Sequence, residues 1–158
     1  IGNPQSNCAS PLIVGDSVIT SSGYGYGTHR IQISKTEEGF EAKELWFTKK
    51  LRAKFADMVV SEGHLYGLND GRLVCVELES GDMKWRGSNY GHGQILGVGK
   101  HMILQGERGA VFILKMTPEG EQVTQEFEAL DHRTWNHPAL AGKILLVRND
   151  REAIAFEF

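Results

Sequence analysis

Residues 63–85 read GHLYGLNDGRLVCVELESGDMKW, and weaker copies of this phrase lie on both sides of it. The phrase parses as a strand, a tight Asp70-Gly71 turn, a second strand, a Ser80-Gly81 turn and a short third strand ending on Trp85. Each copy opens with an apolar strand running into a Gly-polar turn, at 11–16, 59–64, 95–100 and 138–143. The turn glycines are Gly15, Gly63, Gly99 and Gly142, in steps of 48, 36 and 43 residues. A second strand follows each glycine, at 17–21, 65–68, 102–105 and 144–147. A third follows at 29–33, 72–78, 110–115 and 153–158. A fourth ends on an aromatic residue at Trp46, Trp85 and Phe127, and the last unit stops at Phe158 without one. A unit this small cannot bury its own apolar face, so it must stack on a neighbour.

A period near 40 residues with four strands per unit is that of a propeller blade. Apolar residues alternate or run in short blocks, and glycine recurs at turn spacing, so no segment reads as helix. The expectation is an all-β chain of about fifteen strands. It forms a β-propeller of four-stranded antiparallel blades, about four of them, the last incomplete. Residues 1–158 read as a single domain with units at about 9–46, 54–86, 93–127 and 135–158. A sandwich or open barrel is the competing architecture, but sandwiches rarely repeat a whole phrase. Trp46 and Trp85 suit the blade reading, because a planar side chain burying about 200 Å² can cover the next sheet. Cys75, Ala153 and Ala155 suit a third strand squeezed between sheets. Asp70-Gly71 is a two-residue hairpin signal, and Gly109 and Asn149-Asp150 mark equivalent turns. The first unit enlarges that turn to an aromatic loop at 21–28, holding Tyr24 and Tyr26.

Composition bounds the function. Hydrophobic residues make up 41% of the 158, enough for a packed core, and a formal charge of −3 argues against nucleic-acid binding. No run reaches the ~20 apolar residues of a membrane helix. The chain opens on Ile1-Gly2-Asn3-Pro4 without an initiator methionine, and it reads as the C-terminal half of a longer protein. Cys75 occupies a core position and Cys8 the lead-in, and spacing alone leaves their pairing open. Six histidines include none at zinc spacing with a cysteine, and Asp131-His132 with His137 reads as a polar loop. The Gly23–Gly27 loop lies between strands, with no helix to bind phosphate, and no nucleophile motif is present. No catalytic residue and no metal ligand is assigned.

Residues just before each first strand line the mouth of a propeller's central channel. Aligned on the turn glycines, one column holds Cys8, Ala56, His92 and Trp135. The next holds Ala9, Asp57, Gly93 and Asn136, and the third Ser10, Met58, Gln94 and His137. These columns vary in kind and are largely polar, unlike columns that only pack. Asp57, His92, Gln94, Trp135, Asn136 and His137 are therefore the expected ligand-facing set, against the alternative of a hydrated mouth without a ligand.

The run LVCVELESGDMKW at 73–85 resembles the repeat of pyrroloquinoline-quinone (PQQ)-type β-propellers, whose blades close on a Gly-polar-x-x-Trp end. The run WNHPALAGKILLVR at 135–148 resembles the start of a terminal blade there. The resemblance implies a periplasmic or secreted bacterial protein. It also implies one of three functions: a binding or scaffolding module without catalysis, a fragment of a PQQ-dependent dehydrogenase, or a protein-partner scaffold like the outer-membrane assembly lipoproteins. PQQ and Ca2+ enter only under the second, in which Asp57 and Asn136 would serve, although the adjacent cysteines frequent in that family's enzymes are lacking. The third would use Tyr24 and Tyr26 as its partner loop. Partners are a small ligand or a protein. A half ring also leaves apolar end faces, so self-association as a two-fold pair is expected. The competing form is a closed four-bladed ring with residues 1–8 as the missing strand.

Overall fold

Two-residue turns between alternating strands make hairpins, and hairpins make up this fold. A computed structural model describes residues 7–158, and among them it holds fifteen strands and no helix. The chain is a β-propeller arc of four antiparallel sheets, each ordered as in the sequence. Blade 1 comprises β1 (Leu12–Val14), β2 (Ser17–Ser22), β3 (Gly27–Thr36) and β4 (Gly39–Thr48). Blade 2 comprises β5 (Val59–Ser61), β6 (His64–Asn69), β7 (Arg72–Glu77) and β8 (Met83–Asn89). Blade 3 comprises β9 (Gln94–Val98), β10 (His101–Gln105), β11 (Ala110–Lys115) and β12 (Gln122–Glu128). Blade 4 has three strands, β13 (Ala139–Ala141), β14 (Ile144–Arg148) and β15 (Ala153–Glu157). Residues 1–6, to which most of a strand supplied by residues 1–8 would belong, lie outside the described residues.

The end-of-blade aromatics sit inside their strands rather than at the ends, and each reaches the following blade. The Trp46 indole N–H donates to the Leu78 carbonyl at 3.0 Å, and that of Trp85 donates to the Thr117 carbonyl at 2.9 Å. Donor and acceptor are 32 residues apart in both pairs, so the bond is part of the repeat. The Ser80-Gly81 turn needs glycine because Trp46 lies on it: a Cβ at Gly81 would stand 2.9 Å from the indole. The Phe127 ring has no N–H to offer and instead packs against Phe156 and Phe158.

Burial follows the blade interfaces. Ile19, Trp46 and Leu51 meet Leu65, Val74 and Val76 between blades 1 and 2. Tyr66, Leu68 and Cys75 meet Met102, Leu104 and Leu114 between blades 2 and 3. Ile103 and Val111 meet Leu145 and Val147 between blades 3 and 4. Cys75 has no exposed surface, and burial pushes its thiol up to about 11, so it is an inert core residue. Cys8 is exposed, and both thiols are free.

The turns correct the sequence alignment by one residue in blade 2. The flanking pairs Val14↔Ser17, Val98↔His101 and Ala141↔Ile144 put Gly15, Gly99 and Gly142 first in their turns. In blade 2 the pair Ser61↔His64 encloses Glu62-Gly63, so the glycine comes second. Both residues there take positive φ, 46° and 76°. A two-residue turn with both φ positive accepts glycine in its second place, whereas a turn with positive φ only at the start wants it first. The equivalent columns are therefore Cys8, Phe55, His92, Trp135 and Ser10, Asp57, Gln94, His137. Ala56 and Met58, placed at the mouth by the glycine alignment, are core residues.

Candidate functional site

Strand alternation brings every lead-in to the same end of the arc, together with the loops joining second and third strands. The corrected columns meet there. Phe55 lies 5.4 Å from the His92 ring, edge-on, and 5.4 Å from the Trp135 ring, tilted. One aromatic from each of three blades thus forms a single cluster. It is flanked by cations: Lys54 Nζ stands 5.2 Å from the Phe55 centroid and 4.3 Å from that of Tyr24, and Arg133 Cζ 5.3 Å from Trp135. The sequence reading missed Phe55, because the one-residue slip had put Ala56 in its column.

The polar column links the lead-ins of all four blades. Asp57 accepts the Ser10 backbone N–H at 2.7 Å and His137 Nε2 at 3.0 Å, tying blade 2 to blades 1 and 4. Gln94 donates to the Phe55 and Trp135 carbonyls at 3.0 and 2.9 Å, tying blade 3 to blades 2 and 4. Gln105 pairs with Gln94 across β9 and β10. Both glutamines are buried, and each amide oxygen lacks a donor among the described residues. The Asn136 amide, with its oxygen toward Arg148, accepts from both Nη atoms at 3.0 and 3.3 Å. The other sequence candidates, Tyr24 and Tyr26, line a separate 300 Å³ pocket with His29, Phe47 and Lys49.

Glu107 organises the aromatic cluster, and no repeat position pointed to it. Its carboxylate accepts the Trp135 indole N–H at 2.9 Å and the His92 backbone N–H at 3.1 Å, with Arg133 Nε 4.0 Å away. Burial pushes the Glu107 carboxyl up, but the His92 and Trp135 donors and the His92 and Arg133 charges outweigh it. The net position is below the ordinary carboxylate range. A lowered folded value means that this stabilisation is complete above the unfolded carboxylate range. It is lost as pH falls through the folded value. Acid titration of Trp135 emission should show a transition below the ordinary Glu range, and Glu107→Gln should abolish it. An unchanged titration in the variant would exclude Glu107 as its source.

Arginine is concentrated at one end. Arg52, Arg72, Arg108, Arg133, Arg148 and Arg151 lie at the lead-in end, interspersed with Asp57, Asp70, Glu107, Asp131, Asp150 and Glu152, and Arg52 pairs with Asp70 at 2.7 Å. The opposite turns carry lysines among more numerous carboxylates, including Glu37, Glu38, Glu62, Glu79 and Glu119. Beside Trp135 and Asn136, a pocket of 610 Å³ is lined by His132, Arg133, Asp150 and Arg151. Trp135 presents exposed apolar surface beside the Arg133 guanidinium, a pairing suited to an acidic segment carrying an apolar or aromatic side chain.

No family model matches the chain, and no curated protein matches it in sequence. Solved structures do match in fold. BamB from Moraxella catarrhalis is 14% identical with a TM-score of 0.71, over 95% of this chain and 43% of that one. The computationally designed Ika4 protein is 8% identical with a TM-score of 0.72, over 99% of this chain and 94% of that one. The quinohemoprotein alcohol dehydrogenase from Comamonas testosteroni is 16% identical with a TM-score of 0.53, over 78% of this chain and 21% of that one. The chain thus spans less than half the length of the BamB that it matches. Likeness at these identities establishes one thing, that the chain has the β-propeller fold.

Proposed function

We propose that this chain is a propeller of the PQQ-like-repeat type that acts as a binding or scaffolding module, without chemistry of its own. Its binding surface is the lead-in end, and its partner is an acidic, extended protein segment. The observation that carries the reading is the aromatic cluster of Phe55, His92 and Trp135, in which Trp135 is exposed over half-buried Phe55 and His92, flanked by Lys54 and Arg133. A rigid aromatic anchor beside arginine is the usual composition of a binding hot spot. The resemblance of the 73–85 and 135–148 runs to PQQ-type propellers, which include outer-membrane assembly lipoproteins, supports a scaffold and a periplasmic or secreted location. The test is selection of peptides from a random displayed library, followed by calorimetry on the winners. Acidic binders are expected, and Trp135→Ala should weaken them by about tenfold or more. Binders that ignore both Trp135→Ala and Phe55→Ala would overturn the reading.

The fold likeness to a quinohemoprotein dehydrogenase raises a second reading, a dehydrogenase fragment holding PQQ and Ca2+. The mouth residues do not fit that group. Both Asp57 oxygens are taken, by Ser10 and His137, and the Asn136 amide faces Arg148. Among the described residues, no group of three His, Cys, Asp or Glu side chains is placed to hold a metal ion. Titration with PQQ and Ca2+ should therefore give neither tight binding nor dye-linked alcohol oxidation. Affinity at the micromolar level or better would favour the dehydrogenase.

A further inference from the structure

The two outer faces of the arc carry the same residues that every inner interface buries. In the corrected register Ile19, Tyr66, Ile103 and Leu146 are equivalent, two places into the second strand of each blade. The first three lie beneath the following blade and are 0%, 1% and 5% exposed, whereas Leu146 is 47% exposed. Leu146 pairs with Ala139 and Ala155, and directly opposed residues share a face, so these alanines extend the same apolar surface. Ile144, 40% exposed, adds to it. The preceding column holds Val18, Leu65, Met102 and Leu145. The last three are buried beneath the blade before them, while Val18 is only half-buried. Its cross-strand partners are Ile13 and Ile31, and Ile13 is 81% exposed. Among the described residues, no apolar cluster joins blade 4 to blade 1.

From this we infer that the 158-residue chain associates with a second copy of itself, the blade 4 face of each against the blade 1 face of the other. The argument is continuity with the three interfaces within the chain. The blade 4 face is what blades 1 to 3 offer a following blade, and the blade 1 face is what blades 2 to 4 offer a preceding one. The faces differ, so the contact is heterologous. Two such contacts related by a two-fold axis close a ring and leave no end face exposed.

Sedimentation velocity and light scattering on the isolated chain test this. A species of twice the chain mass is expected at micromolar concentration. Leu146→Glu and Ile13→Glu each change an exposed residue, so the fold should survive, and circular dichroism checks that it does. Each should weaken self-association by about tenfold or more, because a carboxylate is placed against an apolar face. An equal mixture of the two variants can form one intact contact, between the unaltered blade 1 face of the first and the unaltered blade 4 face of the second. It should therefore associate more strongly than either variant alone. A wild-type monomer across the concentration range would overturn the proposal, as would a ladder of open oligomers. So would a dimer that survives both substitutions.

Discussion

Trp46→Ala is expected to lower the unfolding free energy by about 3–5 kcal/mol, the range for emptying a large aromatic site in a core. Trp46 is buried, its ring covers Gly81 of the next blade, and its N–H supplies a donor to the Leu78 carbonyl. Removing it empties the seam between blades 1 and 2 and takes one of that carbonyl's two side-chain donors, leaving the Arg30 guanidinium at 2.9 Å. Trp46→Phe separates the two losses. It keeps most of the apolar contact and gives up the hydrogen bond, so about 1–2 kcal/mol is expected. Urea unfolding followed by far-ultraviolet circular dichroism measures both. Equal losses for alanine and phenylalanine would mean that the hydrogen bond, not the packing, holds this seam.

Gly109→Ala should be of comparable severity for a different reason. Gly109 has a φ of +103°, and a Cβ built on it would stand 2.0 Å from the Leu130 carbonyl oxygen. The obstacle is backbone, held by the Leu130 N–H bond to the Gly109 carbonyl at 3.2 Å, so no side chain can swing aside. Strain at positive φ and displacement of the 129–131 segment together should cost about 3 kcal/mol or more. Gly99→Ala is the control. Its φ of +57° is also left-handed, but nothing lies within 4 Å of the added Cβ. About 1 kcal/mol is expected there, from conformation alone. Similar denaturation midpoints for the two variants would show that the clash relaxes and that only φ matters.

Much of the fold was legible because its determinants are local. Asp70-Gly71 adopts positive φ at both positions, 47° and 89°, as the dipeptide demands, and the strands on either side pair around it. The indole at Trp46 and again at Trp85 signalled a contact between blades, since a side chain of that size on a half-polar strand has nowhere else to go. The register of blade 2 was not legible. Whether the glycine comes first or second in a two-residue turn depends on how both strands lie against their neighbours, and the letters Glu62-Gly63 do not announce it. That single slip hid Phe55 and placed the core residue Met58 at the mouth.

The sequence by itself determined the hairpins, the repeat and the side of each strand that is apolar. These follow from turn chemistry and alternation within a few residues. Only the tertiary structure decided which residues share the mouth. Glu107 holds Trp135 from 28 positions away, and Asp57 holds His137 from 80, through side chains that the repeat does not constrain. It also decided that Leu146 is exposed where its equivalents are buried. Burial in a stacked fold belongs to the interface between units, and one unit's sequence cannot say whether its neighbour is there.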